Sequence, residues 1–302
     1  MRWRSLSVEQ SRRVSLPTRP NTTGVTFLKF SALVFLLSSA AGLLGALTGL
    51  GGGVVITPAL VLLFGVDIRY AIGASLISVI ATSSGAASAY VREGFSNIRL
   101  GMFLEIATTL GAIFGAYLAP RVPTSGLGII FGVVLLYSAF LTLRRQEPHR
   151  DAVKPNALAE RLRLSGSYPA ADGSRAYRVS RVKTGFGMMF GAGALSGLLG
   201  IGSGALKVIA MDQAMRVPFK VSTTTSNFMI GVTAAASAGL YFKRGYIDPG
   251  LTMPVMLGVL GGSLAGTRLL IGATPRVLHL IFASLVGVMA VELIYNGLAG
   301  RI

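Results

Sequence analysis

The chain has 302 residues, 52% of them apolar and 13% charged, and its mean hydropathy is +0.66. Soluble domains carry roughly a quarter charged residues, and the apolar runs here lack the polar face that a buried soluble helix keeps. Cysteine is absent, which excludes disulfides and thiolate metal sites. His149 and His279 lack the partners of a metal site, so no metal or cofactor is expected. The net charge of +17 does not call for nucleic acid, because an excess of Lys and Arg on cytoplasmic segments explains it in a membrane protein.

In chain order, residues 1–26 hold Arg2, Arg4, Arg12, Arg13 and Arg19 against Glu9 alone and read as a basic, mobile tail. Apolar segments follow at 27–47, 54–66, 70–91, 98–119 and 125–143. A basic linker spans 144–183, with ten basic and four acidic residues. Further segments fall at 184–199, 205–217, 221–242, 249–270 and 275–295, and a short tail covers 297–302. Most are about the length a bilayer crossing needs.

The first two segments are divided by Gly49-Leu50-Gly51-Gly52-Gly53. A thinned copy, Gly200-Ile201-Gly202-Ser203-Gly204, recurs 151 positions on, Gly49 meeting Gly200. The same offset aligns Ser75 with Ser226, Thr82 with Thr233 and Gly111 with Gly262. The expected architecture is an all-α, polytopic membrane bundle. Its repeats cover 27–143 and 184–296, each with a broken or re-entrant helix pair. Placing both basic blocks in the cytoplasm requires an even number of crossings per half. That is met if the short segment behind each glycine run is re-entrant, giving about eight crossings (7–10) with both halves in one orientation. If every segment crosses, the halves are inverted.

Irregular backbone cannot face lipid, so each glycine run must pack against protein or line a wet cavity. Two readings stand. Gly49, Gly51, Gly52, Gly53, Gly200, Gly202, Ser203 and Gly204 can present free amides to an anion, with Pro58 marking the helix break; alternatively, glycines of this kind allow close helix packing. Lys207, without a local partner, is a candidate anion-attracting or proton-linked charge, or a lysine that snorkels from a helix end. Asp212 and Arg216 have the spacing of a helical pair. Ser75, Thr82, Ser226 and Asn227 add neutral hydrogen-bonding groups, as ligands or as interhelical glue. Glu105 and Asp212 are candidates for proton coupling, with Glu292 weaker. No nucleophile with its base and no GxxxxGK[ST] loop is visible. A membrane enzyme on lipid substrates is therefore the weaker alternative, beside a non-transporting scaffold.

The pattern Gly49-Leu50-Gly51-Gly52-Gly53…Pro58, with Gly73-Ala74-Ser75 behind it and the echo at Gly200 to Gly204, resembles the TauE/SafE family of sulfite and organosulfonate exporters over about 27–297. The resemblance implies a multi-pass cell-membrane carrier, in the lipid bilayer, for small sulfur-containing or other organic anions; the expected driving force is a coupling proton or ion gradient or the membrane potential. The copies depart from each other, with Ser203 for the middle glycine and Ile209 opposite Pro58. Lys207 and the linker have no counterpart in the family pattern.

Overall fold

The computed structural model describes residues 27–48, 52–92, 96–143, 156–170, 173–269 and 275–302. Helix α1 (Phe27–Thr48) is followed by α2 (Gly53–Phe64), α3 (Ile68–Arg92), α4 (Ile98–Leu118) and α5 (Thr124–Leu143). After the linker come α7 (Val182–Leu199), α8 (Gly204–Ile209), α9 (Phe219–Lys243), α10 (Pro249–Leu269) and α11 (Pro275–Leu298). Helix α4 shows the logic of the bundle. Its exposed side carries Met102, Ile106, Leu110, Ile113 and Tyr117, while Glu105, Thr108, Gly111 and Gly115 are buried. Large apolar residues outside and small or polar ones inside reverse the pattern of a water-soluble helix, and a surrounding hydrocarbon favours that arrangement.

Helix α1 packs along α10, α4 along α7, α5 along α11 and α3 along α9. Glycine lets the first two pairs approach. A Cβ on Gly115 or Gly197 would overlap the backbone of Ala194 or Ala112, and one on Gly262 would overlap that of Ser39. The packing reading of these glycines is thus what the structure displays. Both pairs run parallel, since Gly111 and Gly115 meet Phe190 and Ala194 in the same order. By contrast α3 and α9 run antiparallel, with Gly73 beside Tyr246 and Ser83 beside Gly231.

Each broken pair forms a hairpin. Phe30, near the start of α1, stacks edge-on against Phe64 at the end of α2, with ring centroids 5.5 Å apart. In the later pair, Ser180 N–H before α7 donates to Met215 O beyond α8 (3.0 Å). Chain entry and exit therefore share one end of each hairpin. Two halves in one orientation do not fit these directions: same-sense copies would set α3 and α9 parallel, and they are antiparallel. The start of α1 and the linker consequently lie at opposite ends of the bundle.

The linker also departs from the all-α expectation. It folds into α6 (Ala157–Arg161) and an antiparallel hairpin of β1 (Gly166–Ala170) and β2 (Gly173–Tyr177). Asn97 clamps it to the bundle. Its Nδ2 donates to Leu164 O (2.8 Å) and Tyr177 Oη (2.7 Å), its Oδ1 caps α4 at Leu100 N (3.0 Å), and its own N–H donates to Thr225 Oγ1 (3.0 Å). Leu164, Val179 and Val182 pack with Met211, Met215 and Val217 beneath.

Substituting Gly115→Leu or Gly262→Leu should lower the melting temperature in detergent, with a cost of about 1–3 kcal/mol from overpacking. Gly187→Ala and Gly239→Ala, where a Cβ meets nothing within 4 Å, should not lower it and should raise it slightly, since glycine inside a helix costs roughly 0.5–1 kcal/mol relative to alanine. At the clamp, burial raises the Tyr177 phenol above its ordinary 10.0, with the Asn97 hydrogen bond acting the other way. The neutral phenol's contribution is complete below that ordinary value and is lost as pH rises through the higher folded-state one. The melting-temperature advantage of wild type over Tyr177→Phe should therefore shrink on going from about pH 8 to about pH 11; a constant gap would contradict the buried placement.

Candidate functional site

Helix α7 ends where Gly200 (φ 70°), Gly202 (φ 66°) and Ser203 (φ 47°) follow one another in the left-handed region. A Cβ on Gly200 would lie 2.9 Å from Ile72 O, so both the conformation and the close approach demand glycine there. Ser203 pays the left-handed penalty without being glycine. In the first copy Gly52 is ordinary right-handed backbone (φ −64°), so the breaks differ in geometry as well as sequence. Gly49 and Gly51 lie outside the described residues. Pro58 does not break the helix: α2 runs through it. A proline is tolerated at such a place when the carbonyl it leaves free is met by neighbours.

In the first turn of α2 the Val55 N–H donates to Gly52 O (3.1 Å), and neither α2 nor α8 has a side-chain N-cap. Their carbonyls are held from α3 and α9. Ser75 Oγ lies within donating distance of Gly53 O (3.2 Å) and Gly200 O (2.9 Å), and Ser226 Oγ donates to Gly204 O (3.2 Å). These two hydroxyls spend their hydrogens on the breaks, so they act first as braces for the backbone.

Behind the second break lies a buried charged cluster. Lys207 is 0% exposed. Its Nζ donates to Thr233 Oγ1 (2.5 Å), which in turn lies 2.6 Å from Glu105 Oε1. Thr109 Oγ1 donates to the same carboxylate oxygen (3.1 Å), and Lys207 Nζ stands 4.0 Å from Glu105 Oε2. Glu105 Oε2 and Ser203 Oγ are buried without a hydrogen-bond partner among the described residues. Ser203 O accepts from Lys207 N (3.0 Å), so the unpaired hydroxyl and the ammonium stem sit one helical turn apart. The partner that Lys207 lacks locally is supplied across the bundle by α4.

The other expected residues fall elsewhere. Thr82 Oγ1 turns back onto its own helix at Ser78 O (3.1 Å) and Val79 O (3.2 Å). Asn227 is buried. Asp212 is buried in a π turn over Ala210–Ala214, while Arg216 lies beyond it with φ 59°; the two do not share a regular α-helical face. Glu292 is exposed on α11, away from the cluster. Thr108 and Thr109 went unnoticed in the sequence, although their spacing of three and four from Glu105 puts them on its helix face.

A lipid-adapted helical bundle with two braced helix breaks and a buried ion pair behind one of them defines a membrane transporter. The chain belongs to the TauE/SafE family: the family model described as "Sulfite exporter TauE/SafE" matches residues 34–293. Its relatives include two Bacillus subtilis proteins named as probable membrane transporters. YunE is 27% identical over 88% of this chain and 98% of its own. YjnA is 28% identical over 87% of this chain and 100% of its own. A Methanocaldococcus jannaschii protein of the same description is 23% identical over 87% of this chain and 95% of its own. These names are those of transporters, not enzymes. No solved structure matches.

Ser75→Ala should cost about 1–3 kcal/mol by leaving a buried carbonyl without its donor, read as a lower melting temperature. Ser75→Thr, which keeps the hydroxyl, should recover part of that loss. Equal melting temperatures for wild type and Ser75→Ala would remove the bracing role.

Proposed function

We propose that the protein is a secondary transporter of small anions, sulfite or other sulfur-containing or organic anions, in the cell membrane. The observation that carries this reading is Lys207, a cation fully withdrawn from solvent beside a helix break whose Ser203 hydroxyl has no partner among the described residues. A buried cation and free donors in hydrocarbon are expensive unless they serve a ligand or a pathway. The anion binds between the two breaks, at backbone N–H groups around Gly52, Gly53, Gly202, Ser203 and Gly204, with Lys207 supplying the charge. Asn227 belongs to the same proposed lining, and Gly49 and Gly51 lie outside the described residues.

The two halves are inverted copies. Support comes from the match of α3 (Ile68–Arg92) with α9 (Phe219–Lys243) at the constant offset. The mirrored pairings α1–α10 and α7–α4, and the equivalent braces Ser75 to Gly53 and Ser226 to Gly204, agree. Helices α3, α4, α5, α9, α10 and α11 cross, the first arms α1 and α7 run alongside the crossings of α10 and α4, and each hairpin returns its chain to the face it entered, the two hairpins entering from opposite faces. The linker, with its ten basic residues, faces the cytoplasm.

The test is ligand-dependent melting across sulfite, thiosulfate, sulfonates and carboxylates, since stabilisation follows ln(1 + [L]/Kd). The preferred anion should stabilise wild type, and Lys207→Ala should weaken its binding tenfold or more, about 1.4 kcal/mol. Folded Lys207→Ala protein with undiminished anion flux in liposomes would remove Lys207 from the site.

A further inference from the structure

We infer that the Glu105 carboxylate occupies the place of the transported anion's oxygens, and that its protonation frees Lys207, so that anion and proton move together. The inference rests on the transport reading above and says how that site is opened.

The geometry is that of an anion already bound. Glu105 Oε1 accepts from Thr109 Oγ1 (3.1 Å) and lies 2.6 Å from Thr233 Oγ1, and Lys207 Nζ is 4.0 Å from Oε2. Two hydroxyls and an ammonium around one carboxylate are the donor set an oxyanion requires. The arrangement is also incomplete on one side, since among the described residues Oε2 has no hydrogen bond, and it stands at the outer limit of an ion pair. A carboxylate held by one oxygen is placed to be exchanged.

Charge accounting gives the coupling. With Glu105 ionised the cluster is neutral, and a second anion entering hydrocarbon beside it would carry an uncompensated charge. When Glu105 takes a proton from water, no bond other than O–H is made. The ammonium keeps its charge, and Thr109, Thr233 and Lys207 become available to the anion. One proton and one negative charge then enter together and the cluster is neutral again. The surroundings contain little else that titrates. Helix α7 has no charged residue between Lys183 and its break, α9 has none between Lys220 and Lys243, and α8 contributes Lys207. Among the described residues the remaining buried charge is Asp212, which makes an interaction of its own in the π turn.

The experiment uses full-length protein in liposomes with methanesulfonate as the probe, whose charge is constant over about pH 5–8. Wild type should accumulate it toward the alkaline side, up to about tenfold per unit of pH difference. Glu105→Gln should lose accumulation driven by the pH difference, and Glu105→Asp should retain it. In melting experiments, stabilisation of wild type by methanesulfonate should grow as pH falls, whereas that of Glu105→Gln should not depend on pH. Accumulation by Glu105→Gln equal to wild type, or wild-type flux and binding that ignore pH, overturns the coupling and leaves the carrier reading standing. Wild-type vesicles that move no anion of the panel overturn the carrier reading itself.

Discussion

A helix cannot be interrupted inside hydrocarbon unless something meets the peptide groups the interruption releases. Here a serine hydroxyl does so at the end of α7, where Ser75 meets the Gly200 carbonyl, and serines also rest on the first carbonyls of α2 and α8. Ser75 reaches the carbonyls at both breaks, Gly53 and Gly200, and Ser226 holds Gly204. The consequence is geometric: the two hairpin tips are tied to the antiparallel pair α3 and α9, and to one another. Much of the remaining packing serves to bring α3 and α9 together at that level, including the glycine contacts that let α1 and α7 lie flush against α10 and α4.

The buried ion pair is the second costly feature, and its setting explains why it persists. Desolvating an ammonium and a carboxylate is repaid only where geometry and additional hydrogen bonds are good. Thr233 and Thr109 supply those bonds to one carboxylate oxygen, while the other oxygen is left without one. An ion pair optimised for stability alone would have both oxygens satisfied. On the reading proposed above, that asymmetry assigns the cluster to transport rather than to folding.

Much of the architecture was legible in the sequence because it depends on local signals. Apolar run length located the helices, the glycine runs located the breaks, and the constant spacing of Ser75 and Ser226 behind them aligned the braces. What was not legible depends on distance. Lys207 seemed unpartnered because Glu105 lies in the other half of the chain. The direction of α3 against α9 could not be read from charge, since the basic tail and linker argued for a shared face while the hairpins set the start of α1 and the linker at opposite ends. Pro58 seemed to mark the break because proline usually does, yet the interruption falls upstream of it, and tertiary contacts overrule the local preference. The linker's small sheet was hidden by its polarity, because its order comes from Asn97 and Tyr177 rather than from an apolar pattern.

The exchange of partners between the two halves has a mechanical consequence. The first arm of each hairpin lies flush on a helix from the opposite half, α1 on α10 and α7 on α4, through backbone contacts that leave no room for sliding. The rigid pieces of this molecule are therefore not its two sequence halves. Cutting the chain in the linker would separate two polypeptides but no mechanical part. Each fragment would carry an outer arm whose cradle is on the other, so neither has a complete surface until both are present in the same membrane.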